Sequence, residues 1–197
     1  MLILDFDKTL IKENSSRVLE NKLREYYSTN YVICKGIKNK YMLTLGNFII
    51  RALSRIILKG QDGVLTFNIL VAFKLIPKEE IFNKILLDTS KNLHINTKFE
   101  NLKNKEIFII STGIKEIIKN FLDLQNFENY KIVVASEISY INKDTKLKKL
   151  DDKIKFLDNI KGNFTYYTDD IMEIEKLKNR KINFTIEELG DIYEIKK

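Results

Sequence analysis

Two carboxylates separated by one residue follow the first apolar segment of the chain. Leu2-Ile3-Leu4 leads directly into Asp5-Phe6-Asp7. Alternate side chains of an extended chain share a side, so the two carboxylates point together and the phenyl ring turns away. Neighbouring carboxylates are costly unless a cation or a proton lies between them. The pattern predicts a magnesium site or a catalytic acid pair, and two solvated acids at a strand end are the alternative.

A second apolar segment ends in small polar residues. Ile109-Ile110 is followed by Ser111-Thr112-Gly113, and a helical pattern begins there. Free backbone N–H groups at that helix start, with the Ser111 hydroxyl, would form a pocket for an anion. An ordinary serine or threonine N-cap is the alternative.

A third group of polar residues also follows an apolar segment. Asp169 and Asp170 come after Tyr167-Thr168, and Glu173 follows three residues later. Oxygen ligands of this kind are those that Mg²⁺ takes, and few of them need come from the protein. An acidic helix start is the alternative interpretation.

One lysine stands where a helix is expected to begin. Asp151 or Asp152 would cap a helix that Lys153 opens. An ammonium group there could neutralise phosphate and carboxylate charge, although a solvated lysine is the usual case. Lys149 and Lys155 are rivals for the same role.

Five short apolar segments, rich in β-branched and aromatic residues, predict buried parallel strands. They are Leu2 to Phe6, Ile107 to Ser111, Ile132 to Ala135, Phe164 to Thr168 and Ile182 to Thr185. Helical patterns separate the later strands, which favours an α/β fold.

In residues 13–100 the alternation of strands and helices is absent, and the sequence shows helical patterns only. These patterns are Ser15 to Tyr27, Lys40 to Leu58, Val64 to Leu75 and Pro77 to Leu93. We therefore predict an α/β core formed by residues 1–12 and 101–197, with a helical cap domain of residues 13–100 inserted after the first strand.

Composition narrows the class of protein. The 197 residues contain 34 Lys plus Arg and 27 Asp plus Glu, a net charge of +7, but the lysines are spread along the chain. This favours a solvated basic surface, and we expect no nucleic-acid partner. Cys34 and His94 are each the only residue of their type, which argues against disulfides within the chain, Cys/His zinc sites and histidine-dependent triads. With no apparent signal peptide or membrane span, a cytoplasmic protein without stable membrane insertion is expected.

The joint order of these motifs resembles the haloacid dehalogenase superfamily, and within it the phosphoserine-phosphatase-like branch with a helical cap. The resemblance extends over the whole chain. It implies a Rossmann-like core with a parallel five-stranded sheet, Mg²⁺ as the cofactor, and a small phosphorylated substrate. The activity it implies is that of a phosphatase.

The resemblance also implies roles for individual residues. Asp5 would attack phosphorus and form an aspartyl-phosphate, and Asp7 would serve as general acid and then as general base. Residues implied for phosphate binding are Ser111, Thr112, Gly113 and Lys153. Metal ligands would be Asp5, the backbone carbonyl of Asp7, and Asp169. Glu173 would contact the metal through water or bind the lysine, and Asp170 would occupy the position after the metal-binding Asp169.

Departures from the family pattern leave alternatives open. Thr168 and Thr112 stand where glycine is common, and Glu173 replaces an aspartate. A phosphomutase or phosphotransferase, or a catalytically silent protein that binds a phosphorylated ligand, would share the same motifs. In the cap, Arg51 and Arg55 could meet a second anionic group of the substrate or form a solvated face.

Overall fold

The computed structural model describes residues 1–29, 76, 78–140, 144–180 and 184–197. The predicted helices Lys40 to Leu58 and Val64 to Leu75 lie outside these residues, as does the Arg51–Arg55 pair. The expected cap core also lies outside them; it comprises Phe48, Ile49, Ile56, Phe67 and Phe73.

Seven strands of the described residues form one sheet. They are β1 (Leu2–Leu4), β2 (Ile107–Ile114), β3 (Tyr130–Ser139), β4 (Asp144–Lys146), β5 (Thr165–Thr168), β6 (Thr185–Leu189) and β7 (Ile192–Lys196). The strand order is β4-β3-β2-β1-β5-β7-β6. The first strand of the chain therefore lies in the middle of the sheet.

The sheet is mixed. Strands β3, β2, β1 and β5 run parallel, whereas β4 pairs antiparallel with β3, β7 with β5, and β6 with β7. The prediction of a purely parallel sheet of five strands is therefore wrong. The chain is a mixed α/β protein whose parallel centre is consistent with a Rossmann-like fold.

The errors have physical reasons. β4 consists of Asp, Thr and Lys, so no apolar segment marks it. β6 and β7 are joined by the two residues Gly190-Asp191, and Gly190 has a φ of 75°, a conformation that glycine adopts without a Cβ penalty. This is a hairpin signal that apolar segments alone do not reveal. Of the predicted strand Ile182 to Thr185, residues 182 and 183 lie outside the described residues, and Thr185 is the first residue of β6.

Five α-helices of eight or more residues are described. They are α1 (Ser15–Thr29), α2 (Glu79–Lys91), α3 (Lys115–Leu124), α4 (Leu150–Asp158) and α5 (Ile171–Lys178), with a short 3₁₀ helix at Thr97–Leu102. Among the described residues, none of the helices has the length and apolar character that crossing a membrane requires.

Helices cover both faces of the parallel strands. One buried apolar cluster combines strand residues with residues of α4 and α5. Its members are Ile3, Ile110, Val134, Ile154, Leu157, Phe164, Tyr166, Ile174, Leu177 and Ile195. On the opposite face Phe6 packs edge-on against Phe121 of α3, with ring centroids 5.5 Å apart.

Contacts divide the chain into two compact units. One comprises Met1–Ser15 and Leu86–Lys197 and contains the sheet, and the other comprises Ser16–Ile85. In the second unit, Leu19 and Leu23 are buried four residues apart on α1, as expected for an amphipathic helix. The cap domain of residues 13–100 stays a prediction.

Phe121→Ala tests the packing of α3. Removing a fully buried ring should lower the free energy of unfolding by about 3–5 kcal/mol, because the cavity adds to the lost apolar burial. Leu124→Ala on the same helix is the control, since Leu124 is 42% exposed and should change stability by less than about 0.5 kcal/mol. Urea unfolding measures both, and equal losses would contradict this account of the core.

Candidate active site

A tight turn at the end of β1 presents the first two carboxylates. The N–H of Asp5 donates to the carbonyl of Tyr167 at 2.9 Å, which keeps the chain in the sheet up to Asp5. The turn is closed by the N–H of Leu10, which donates to the carbonyl of Asp5 at 3.3 Å. Within it Lys8 has a φ of 56°, an uncommon conformation for a non-glycine residue. The chain reverses there instead of extending the strand.

The strand order brings the predicted motifs to one edge of the sheet. β1 lies between β2 and β5, and the three strands are parallel. Asp5 follows β1 and Asp169 follows β5. Ser111 lies within β2, which continues three residues beyond the expected strand end to Ile114, so the next helix begins at Lys115. Carboxyl ends of parallel strands form the edge at which open α/β sheets bind ligands.

Asp5 forms a buried ion pair with Lys153. Its Oδ2 lies 2.7 Å from Lys153 Nζ, and its Oδ1 accepts a hydrogen bond from the N–H of Phe6 at 2.7 Å. Asp5 is 6% exposed and Lys153 is 3% exposed. Burial raises the pKa of the Asp5 carboxyl, although the positive charge of Lys153 works in the opposite direction.

Helix α4 carries Lys153 into this position. The helix begins at Leu150, three residues before the expected start, and the N–H of Lys149 donates to Asp152 Oδ2 at 2.8 Å. Lys153 shares its buried face with Ile154 and Leu157. The two rivals, Lys149 and Lys155, are exposed, so of these three lysines α4 directs only Lys153 to Asp5.

Glu173 is the second acid that contacts Lys153. It lies in the first turn of α5, is buried, and forms an ion pair with Lys153 Nζ through Oε1. Its Oε2 accepts hydrogen bonds from Tyr166 at 2.5 Å and from Thr168 at 2.9 Å. Burial lowers the pKa of Lys153, but the charges of Asp5 and Glu173 outweigh it, so the net shift is upward and the ammonium form persists.

Ser111 and Gly113 are the residues that β2 contributes to the candidate site. Ser111 is buried, and its Oγ accepts a hydrogen bond from the N–H of Gly113 at 2.9 Å. A Cβ added to Gly113 would lie 3.2 Å from Ser111 Oγ and 3.4 Å from both Asp7 Oδ2 and Ser15 Oγ. Glycine therefore leaves space among three side-chain oxygens. Thr112 is exposed, and its carbonyl accepts from Ser136.

The first residue of α1, Ser15, donates a hydrogen bond to Asp7. Its Oδ1 accepts a hydrogen bond from the N–H of Ser15 at 2.6 Å. Burial raises the pKa of Asp7, and the hydrogen bonds from Ser15 only partly offset this. Burial thereby favours the protonated form of this carboxyl, which is the form that a general acid needs.

Asp169 and Asp170 differ in their surroundings. Asp169 Oδ1 accepts from Thr9 Oγ1 at 3.3 Å, and Oδ2 lies 3.9 Å from Lys8 Nζ. Burial raises the pKa of Asp169. Asp170 instead caps α5, because its Oδ1 accepts from the N–H of Met172 at 2.8 Å.

Carboxylates outnumber cations at this edge of the sheet. Four acids influence one another's charge here, and Lys153 is the one buried cation among the described residues. The acids are Asp5, Asp7, Asp169 and Glu173. Such an excess of desolvated negative charge favours protonation of an acid or the binding of a cation.

Sequence reasoning missed two participants. The sequence pattern predicts only a buried strand at Tyr166, where an aromatic residue is usually a core residue. At Ser15 it predicts only the start of a helix. Their hydrogen-bonding roles depend on partners that lie seven or eight residues away. Neither spacing matches a recognised motif.

No protein-family model matches the chain, and no curated protein matches it. Among solved structures, it is similar to a phosphoserine phosphohydrolase-like protein from Francisella tularensis subsp. tularensis SCHU S4. The sequence identity is 23%, the match covers 90% of this chain and 81% of that chain, and the TM-score is 0.46.

Lys153→Met tests the buried ion pair. It leaves Asp5 and Glu173 buried without their cation, which should lower the free energy of unfolding by about 3–5 kcal/mol. Lys155→Met, at an exposed position of the same helix, should change it by less than about 0.5 kcal/mol. Urea unfolding followed by circular dichroism distinguishes them, and a Lys153 variant as stable as the wild type would contradict the arrangement.

Proposed function

We propose that this chain hydrolyses phosphate monoesters of small molecules, with Asp5 as the nucleophile. The observation that carries the proposal is the buried contact of 2.7 Å between Asp5 Oδ2 and Lys153 Nζ at the end of the central strand. Attack of a carboxylate on a phosphate brings negative charges together. A fixed ammonium group beside both of them offsets that repulsion.

In the first step, a carboxylate oxygen of Asp5 attacks phosphorus and the bond from phosphorus to the ester oxygen breaks. Asp7 donates its proton to the departing oxygen, so an alcohol leaves and an aspartyl-phosphate remains. The direction of the pKa shift of Asp7 supports this role, because burial favours the protonated carboxyl that a general acid needs.

In the second step, water attacks phosphorus of the aspartyl-phosphate. Asp7, now a carboxylate, accepts a proton from the water, and the bond between phosphorus and Asp5 breaks. Inorganic phosphate leaves, and both acids return to their starting states. The same pair of carboxyls therefore serves both halves of the reaction.

The phosphoryl oxygens would be bound by Ser111, Gly113 and Lys153, with Thr112 at the exposed margin. The Ser111 oxygen accepts from Gly113, so its own hydrogen can be donated to a phosphoryl oxygen. Absence of a side chain at Gly113 leaves space beside Asp7 Oδ2. A phosphoryl group in this space would lie beside the proposed general acid.

The donor set fits Mg²⁺. Among the described residues no three or more His, Cys, Asp or Glu side chains gather at one metal site, but Mg²⁺ commonly takes only one or two carboxylates and keeps several waters. Asp5, Asp169 and the backbone carbonyl of Asp7 would hold the ion. Its charge would offset the excess of carboxylates and that of the phosphate.

Asp5→Asn should lower kcat for p-nitrophenyl phosphate by about 10³-fold or more, because the amide has the same shape but is not a nucleophile. Asp151→Asn is the control, since Asp151 is an exposed acid paired with Lys176 and should keep full activity. EDTA should abolish wild-type turnover. Activity of Asp5→Asn near that of the wild type would exclude the covalent scheme.

Absence of turnover with the wild type calls for a second measurement. Beryllium fluoride forms a mimic of an aspartyl-phosphate, which fluorine NMR detects when magnesium is present. A signal with the wild type and none with Asp5→Asn would support a nucleophilic Asp5 that the aryl substrate cannot reach. No signal with either protein would favour a catalytically silent binding protein.

Asp169→Asn should raise the magnesium concentration for half-maximal activity by about 10-fold or more, because a neutral amide is a weaker ligand than a carboxylate. Asp191→Asn, at an exposed acid that pairs with Lys98, is the matched control. Magnesium titration of activity, with calorimetry of magnesium binding, provides the measurement. An unchanged requirement in Asp169→Asn would remove this residue from the metal site.

A further inference from the structure

Tyr166 is a tyrosine in the apolar core. It is fully buried and belongs to the cluster packed between the sheet and helices α4 and α5. A phenylalanine would fill nearly the same space, whereas a buried hydroxyl is costly without a partner. The partner is Glu173, whose Oε2 accepts the hydroxyl hydrogen at 2.5 Å.

Thr168 provides the second hydroxyl. Its Oγ1 lies 2.9 Å from Glu173 Oε2 and 3.5 Å from Asp5 Oδ2, and it accepts from the N–H of Asp170 at 3.1 Å. A hydroxyl has one hydrogen to donate, and the shorter distance assigns it to Glu173. Thr168 therefore connects the end of β5 with the first turn of α5.

The two oxygens of the Glu173 carboxylate have different partners. Oε2 accepts from both hydroxyls, and Oε1 is directed to Lys153. With Oε2 bound on two sides, the carboxylate cannot rotate without losing a hydrogen bond. The position of Glu173 then determines where Lys153 Nζ lies relative to Asp5.

We propose that Tyr166 is a positioning residue: together with Thr168 it orients Glu173, and through Glu173 it holds Lys153 beside Asp5. Its effect on catalysis rests on the proposed phosphatase activity, whereas its effect on Lys153 does not. Threonine at position 168 and glutamate at position 173 act together here, since the hydroxyl of the one binds the carboxylate of the other.

Tyr167 offers a matched control. It is the next residue of the same strand, and its hydroxyl also donates to a glutamate, Glu194 Oε1, at 2.5 Å. Side chains alternate along a strand, so Tyr167 faces away from Glu173. Tyr167→Phe removes the same chemical group as Tyr166→Phe, but the hydroxyl that it removes hydrogen-bonds to Glu194 and not to Glu173.

Hydrolysis of p-nitrophenyl phosphate gives the first readout. Tyr166→Phe should lower kcat by about 10-fold and change KM by less than about 2-fold, because a small misplacement of a catalytic group can cost up to about 100-fold. Tyr167→Phe should keep wild-type values. Thr168→Val should lower kcat and Thr168→Ser should recover it. Equal effects of the two tyrosine variants would overturn the proposal.

A double-mutant cycle tests the route through Glu173. Glu173→Asp shortens the side chain by one methylene, so the Tyr166 hydroxyl should no longer reach the carboxylate. Adding Tyr166→Phe to Glu173→Asp should then change kcat by less than about 2-fold, a non-additive result. A full 10-fold loss in that background would show that Tyr166 acts by another route, and would overturn the proposal.

Lysine NMR gives a readout that needs no turnover. In protein labelled with ¹⁵N-lysine, the buried Lys153 ammonium should give a slowly exchanging signal, identified by its loss in Lys153→Met. Tyr166→Phe should shift that signal or speed its proton exchange, and Tyr167→Phe should leave it unchanged. A signal that responds in protein without phosphatase activity would support the positioning role and reject the proposed function. A signal identical in wild type and Tyr166→Phe would overturn the positioning role.

Discussion

Lys153 is a cation buried between two acids, and that placement constrains how the described elements can pack. A charge removed from water is tolerated only with well-placed partners. Asp5 supplies one partner from the end of β1, and Glu173 supplies the other from the first turn of α5. The contacts require β1 and β5 to be neighbours, and α4 to pack against α5, as the structure has them. The buried apolar cluster that includes Ile154 of α4 and Ile174 of α5 packs these two helices against the sheet.

The two acids around Lys153 are held in different ways. Glu173 has one oxygen bound by two hydroxyls and the other bound by the lysine, so its carboxylate is fully engaged. Asp5 accepts hydrogen bonds from one backbone N–H and from the lysine. In the proposed reaction, Glu173 is the acid that positions the lysine and Asp5 is the acid that reacts.

Much of the fold could be anticipated from apolar segments. The strand predicted at Ile107 to Ser111 and the helix stripe around Phe121 both correspond to described elements. Prediction failed for the strands whose formation depends on pairing with a neighbouring strand and not on the burial of apolar side chains. β4 has no apolar residue, and the hairpin at Gly190 depends on a backbone conformation and on pairing with β5 through β7. Edge strands bury little, so their composition carries a weak signal.

By itself the sequence determined which side chains stand at the ends of the central strands, because alternation and apolar segments are local properties of the chain. It placed Asp5 and Asp169 in such positions, whereas Ser111 lies within β2, three residues before the strand ends. Only the tertiary structure decided which of several lysines reaches Asp5, and that Tyr166 donates to Glu173. The contact between Lys153 and Asp5 joins residues 148 positions apart, and it depends on the rotation and packing of α4 against the sheet. No local pattern encodes that packing.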